Sequence, residues 1–96
     1  MAMPELLQQD RRLVMLRILN ESVGYTANDS VLDHSLDAYG HLVSRDTVRA
    51  EIYWLEEQGL ISTKDINGTL VATIKQRGID IATGQAVHPG VKRPSP

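Results

Sequence analysis

Asn67-Gly68 sits between two stretches rich in Thr, Val and Ile, "LISTKDI" and "TLVATI". An Asn-Gly pair accepts positive φ at both central positions of a two-residue type I′ turn, and it is the strongest short-range hairpin signal. Register then follows residue by residue: Ile66 faces Thr69, Asp65 faces Leu70, Lys64 faces Val71, Thr63 faces Ala72, Ser62 faces Thr73 and Ile61 faces Ile74. Side chains alternate between faces. Ile61, Thr63, Leu70, Ala72 and Ile74 therefore form the expected core side, and Lys64, Ile66, Thr69 and Val71 the other. A lone hairpin is not stable in water, so this one needs helices beneath it.

The residues before the hairpin supply them. Pro4 suits the first position of a helix, where its missing N–H costs nothing. That helix runs to about Glu21, with Leu7, Val14 and Ile18 on one stripe and Leu6, Leu13, Leu16 and Leu19 widening it. Gly24 ends the segment. Thr26 or Asn28 can cap a second helix, in which Leu32, Leu36 and Tyr39 fall at helical spacing. Gly40 is its expected left-handed terminator. A third helix starts at the N-cap Ser44 and buries Val48, Ile52 and Leu55. It closes on Gly59, with Leu60 folding back. A short third strand is expected near His41–Val43. After the hairpin, Thr73 and Gln76 fit a capping box for a short helix to about Thr83, with Ile74, Ile79 and Ala82 apolar. From Gln85, "QAVHPGVKRPSP" lacks periodicity and reads as an extended or mobile tail. The expected division is a domain over 1–84 and a tail over 85–96.

Ninety-six residues make one domain, and 42% hydrophobic content supports a modest core. The chain has no Cys, which removes disulfides, thiolate metal sites and Cys nucleophiles. It has no signal-peptide pattern and no apolar run long enough to span a membrane. The expected location is cytoplasmic. His34, His41 and His88 lack zinc-site spacing. No nucleophile–base set or phosphate-binding glycine motif is present. The expectation is a non-enzyme with no cofactor, metal or catalytic residue. Net charge is −2, which argues mildly against strong nonspecific nucleic-acid binding. The charge is uneven, with acids in excess up to Val43 and bases in excess from Gln58 onward.

The order helix, helix, helix, hairpin, helix is the plan of a winged helix-turn-helix: mainly α, with the β-hairpin as wing. "SRDTVRAEIYWLEEQGLI" resembles the recognition helix of bacterial winged-helix regulators, down to the Val48/Ile52/Leu55/Gly59-Leu60 spacing. Nearly the whole chain, including "LEEQGLI", "ATIKQRGIDIATGQ" and "PGVKRPSP", resembles a family of small winged-helix proteins of Mu-like bacteriophages and prophages. That resemblance implies the fold and, loosely, a nucleic-acid-related role. Fold alone does not fix function.

In such a fold the second helix of the helix-turn-helix enters the major groove. The candidate contacts to double-stranded DNA are Ser44, Arg45, Thr47, Arg49 and Tyr53 on helix 44–58, with Lys64 and Asn67 on wing 60–74. Ser44 and Thr47 suit phosphates, and Arg45 or Arg49 suits guanine. Ser44 and the arginines have a plainer reading: Ser44 as an N-cap, Arg45 and Arg49 as partners of acids on neighbouring turns. Asp29, Asp33 and Asp37 form an acidic stripe that tells against DNA unless it is simply a solvated face. Tyr53 and Trp54 lie off the buried sector, and both types are enriched at protein interfaces. They support a rival reading, an interaction module that contacts a phage or host protein. In that reading Trp54 is an exposed contact; otherwise it packs on a neighbouring element. A homodimer is expected, since operator half-sites need two copies of a small reader and the Leu6/Leu13 part of the first helix exceeds one packing contact.

Overall fold

The computed structural model describes residues 3–95. Helix α1 spans Met3–Glu21, strand β1 Thr26–Asn28, α2 Asp29–Ala38, α3 Arg45–Glu57, β2 Ile61–Ile66, β3 Thr69–Ile74 and α4 Gln76–Ala82. The three strands form one antiparallel sheet in the order β1-β3-β2. This is a winged helix-turn-helix.

The hairpin has the register read from the sequence, from Ile66 opposite Thr69 to Ile61 opposite Ile74. Asn67 and Gly68 take φ of 52° and 86°, as a type I′ turn requires. Ile61, Leu70, Ala72 and Ile74 are buried against the helices, and Thr63 is half-buried. The core is completed by Leu16 and Leu19 of α1, Leu32 and Leu36 of α2, and Val48, Ile52 and Leu55 of α3. Helix α2 starts and α3 ends where local backbone chemistry directs. Asn28 caps α2 by accepting the Val31 N–H at 2.8 Å. Past α3, Gly59 N–H donates to the Glu56 carbonyl and Leu60 N–H to the Leu55 carbonyl. Gly59 takes φ of 75°, the left-handed closure of a Schellman motif.

Several expectations are corrected. The third strand is not His41–Val43 but Thr26–Asn28, which pairs with β3 as Thr26 opposite Thr73. His41 is instead turned inward, 5% exposed, with its ring nitrogen 2.7 Å from Asp10 of α1. Thr73 does not cap α4: it remains in β3 and donates its hydroxyl to Thr26, leaving Lys75 as the N-cap without a side-chain bond. The buried residues of α4 are Gly78, Ile81 and Ala82, while Ile79 is half-buried. Gly78 is needed for close approach, since a Cβ there would lie 2.3 Å from the Leu60 carbonyl oxygen. Tyr39 is exposed because α2 ends before it. On α1, Leu13 belongs to the core, whereas Leu6 and Leu7 are exposed.

The segment after α4 has no helix or strand but lies back across the body. Val91 is buried, Lys92 N–H donates to the Gln9 carbonyl at 3.1 Å, and the Gly90 carbonyl accepts from Arg12 at 3.1 Å.

Candidate nucleic-acid interface

Helix α3 has two packed sides and one free side. Val48, Ile52 and Leu55 face the core. The side carrying Glu51, Trp54 and Gln58 faces α1 and the C-terminal segment. Glu51, 4% exposed, accepts from Arg11 at 3.2 Å and from Arg12 at 3.0 Å. The Arg12 guanidinium also lies 3.6 Å over the Trp54 ring, a favourable stack of cation on aromatic face. His88 meets Trp54 edge-on. Of the two readings of Trp54, the packed one is what the structure has. The free side presents Asp46, Ala50, Tyr53 and Glu57, all exposed.

Arg45 and Arg49 flank that free side, turned towards α2. Arg45 Nε donates to Asp33 at 3.2 Å, and Arg49 Nη1 donates to Asp29 at 2.7 Å. The acidic stripe is therefore not a solvated face. Asp29 is 4% exposed, at the first position of α2, where the helix dipole favours a negative charge. Asp33 is also paired, and only Asp37 is left exposed without an ion pair among the described residues. Two acids four residues apart thus meet two arginines four residues apart, in a two-rung ladder between crossing helices. The Asp29 hydrogen bond, more than any other influence, raises the Arg49 pKa above the ordinary guanidinium value.

The wing joins the same constellation. Arg49 Nη1 also donates to the Gly68 carbonyl at 3.0 Å, and Asp65 accepts the Gly68 N–H at 2.8 Å. The turn is thereby held beside the N-terminal half of α3. Lys64 and Asn67 are exposed on it, and Lys64 makes no ion pair among the described residues. At the start of α3, Ser44 accepts the Thr47 N–H at 3.1 Å, and the two hydroxyls are 3.0 Å apart. The structure thus brings Ser44, Arg45, Thr47, Arg49 and Asn67 to one end of α3. It sets Tyr53 further along the free side and Lys64 on the outer face of the wing.

Sequence reasoning gave no structural role to Arg11, Arg12 and Glu51 and weighed His88 only as a zinc ligand; these four fix α3 from behind. The available signal was the grouping of Glu51, Trp54 and Gln58 on one helix side. It also passed over Glu56, which accepts from both the N–H and the hydroxyl of Thr63. That bond occupies an otherwise open edge of β2, a usual protection for edge strands. Among the described residues no three His, Cys, Asp or Glu side chains gather as metal ligands. No helix there is long and apolar enough to cross a membrane.

No family model matches the chain. It is 50% identical over 92 residues to the uncharacterized protein gp26 of Escherichia phage Mu, covering 96% of this chain and 95% of that one. It is 45% identical over 97 residues to an uncharacterized protein of Haemophilus influenzae, covering 100% and 94%. Its fold is similar to that of Sco5413, a MarR family transcriptional regulator from Streptomyces coelicolor, with TM-score 0.64 and 24% identity over 75% of this chain. The complex structure of hsRosR-S4 matches with TM-score 0.66 and 17% identity over 77% of this chain. The likeness spans 47% of the first of these chains and 64% of the second, so it is a likeness of fold.

Proposed function

Because the chain belongs to the family of small winged-helix proteins of Mu-like phages, we propose that it binds double-stranded DNA as a non-enzymatic regulator in the cytoplasm. Helix α3 lies in the major groove, and the wing contacts the backbone. The observation that carries this reading is the pair of arginines braced on Asp33 and Asp29 next to the wing tip. A braced guanidinium is held in place before binding, so less conformational freedom is lost on contact. Arg45 uses its Nε on Asp33, which leaves its two terminal nitrogens free for a guanine edge. The same pairing removes net positive charge, so affinity depends on base contacts more than on phosphates. Ser44, Thr47, Lys64 and Asn67 supply phosphate contacts, with Tyr53 at the far end of the helix. An electrophoretic mobility-shift titration on genomic DNA flanking the gene tests this. A retarded, sequence-dependent complex that weakens as salt rises supports it; no complex at low salt overturns it.

The exposed Asp46, Ala50, Tyr53 and Glu57 row, which carries no base, favours a second reading. In it the free side of α3 docks a phage or host protein on Tyr53, with no role for the packed Trp54. Such binding would be less salt-dependent than DNA binding.

The reader acts as a homodimer through the first two turns of α1. Met3, Leu6 and Leu7 are 65%, 45% and 49% exposed there. Grooves on both sides of Leu7 are rimmed by Glu5 and Arg11 and by Asp10 and Lys92. An antiparallel pair of α1 helices would set acid against base across these rims.

A further inference from the structure

His88 lies at the point where the C-terminal segment meets α3. Its Nδ1 accepts the Gly90 backbone N–H at 2.9 Å, so that nitrogen carries no proton. Nε2 is then the protonated one and donates to Gln58 Oε1 at 3.0 Å. The ring stands at 79° to Trp54, with centroids 5.3 Å apart. Three elements bring groups to the ring: α1 the Arg12 guanidinium, α4 Arg77, and α3 the neutral Trp54 and Gln58. Glu51, the buried acid of α3, is bonded to Arg11 and Arg12 rather than to the ring. A second proton would sit on Nδ1, donor against the Gly90 donor, in the field of two arginines.

We propose that the segment His88–Val91 is a proton-released strap, closed over Trp54 and Arg12 while His88 is neutral and detached when His88 takes a second proton. The fit beneath it is close: a Cβ on Gly90 would come within 2.6 Å of the Trp54 ring and 3.3 Å of Arg12. Burial, then the charges of Arg77 and Arg12, hold the imidazole below its ordinary 6.5. The strap is accordingly closed at neutral pH. The chain beyond it stays anchored, because Lys92 donates its backbone N–H to the Gln9 carbonyl and its ammonium to Asp10. Burial pushes the Asp10 carboxyl up, but the His41 hydrogen bond and the Lys92 charge outweigh this and hold it below 3.8. Release is therefore confined to the His88–Val91 span. The inference rests on the fold alone and not on DNA binding.

The test follows the His88 ring and the Gly90 and Val91 amides by NMR between about pH 8 and 5, with fluorescence of Trp54, the single tryptophan, in parallel. The expected result is one shared midpoint below 6.5 for the ring, both amides and the fluorescence, while amides of β2 and β3 stay still. Gly90→Ala should show the acid-form fluorescence already at neutral pH. A His88 midpoint at or above 6.5, or Gly90 and Val91 amides that ignore the ring's titration, overturns the proposal. So does Gly90→Ala that is folded yet spectrally wild type at neutral pH. Should Gly90→Ala fail to fold, the wild-type titration decides alone.

Discussion

Arg49 of α3 lies 2.7 Å from Asp29 of α2, and through the same nitrogen it reaches the Gly68 carbonyl at the tip of the wing. One side chain therefore ties together α3, the helix before it and the hairpin. Arg45 and Arg49 both lie off the Val48/Ile52/Leu55 stripe, which argues for harmless removal, but only Arg45 is free of the wing. Arg49→Lys keeps the charge and loses the fork geometry. We expect faster amide exchange at Gly68 and Thr69 in that variant, with the melting temperature little changed. Unchanged exchange would show that the wing tip is held by Asp65 and the sheet alone.

Gly78→Ala is predicted to destabilise. In an exposed helix Ala is favoured over Gly by about 1 kcal/mol. Here the added Cβ would meet the Leu60 carbonyl oxygen at 2.3 Å and Ile74 at 2.8 Å, and overpacking costs ~1–3 kcal/mol. Urea denaturation of the two proteins decides the sign.

Glu51→Ala should be among the most damaging polar substitutions. It leaves Arg11 and Arg12, with side chains 13% and 10% exposed, without their carboxylate. Breaking a buried pair from one side costs about 3–5 kcal/mol. A chemical denaturation midpoint within error of wild type would show that the stack on Trp54 suffices to hold Arg12.

Stability should fall as the solution is acidified, in two stages. His88 has a folded pKa below its ordinary 6.5, so the unfolded chain binds the proton first. Its contribution is complete above 6.5 and is lost as pH falls through the lower, folded value. Asp10, held below 3.8, behaves in the same direction in a more acid window. Urea midpoints measured from neutral pH downward should decline first below 6.5 and again below 3.8; a flat profile to pH 3.8 would show that His88 contributes nothing.

The hairpin was legible to the residue because its determinants are local. A turn dipeptide sets the register, and a period of two sets the faces. The α3 cap at Ser44 and the closure at Gly59-Leu60 were legible for the same reason. Strand β1 was not: three residues, Thr26–Asn28, carry too little pattern, and their partner in β3 is remote in sequence. The docking of His88–Val91 was hidden likewise, since Pro and Gly near a chain end read the same whether packed or free. The arginine–aspartate ladder had a signal. Asp29 and Asp33 share a spacing of four with Arg45 and Arg49, and only the crossing of α2 over α3 shows that they meet. Leu13 and Leu6 divide because the buried residues of α1 all lie in its C-terminal half, from Arg12 to Leu19.

Light scattering at micromolar concentration should give a mass near twice 10.7 kDa, and Leu6→Glu with Leu7→Glu should return it to 10.7 kDa. A wild-type monomer would remove the dimer.

DNA binding through α3 is tested most directly by fluorescence anisotropy of wild type and Arg45→Ala on the same bound duplex, at several salt concentrations. Arg45 is 48% exposed at its side chain and holds no part of the wing, so the variant should fold as wild type does. The expected result is a loss of ~1–3 kcal/mol in affinity with relaxed preference at one base position. Lys64→Ala, by contrast, should weaken all sequences evenly and flatten the salt dependence. A folded Arg45→Ala protein that binds the duplex with wild-type affinity and specificity would contradict the account.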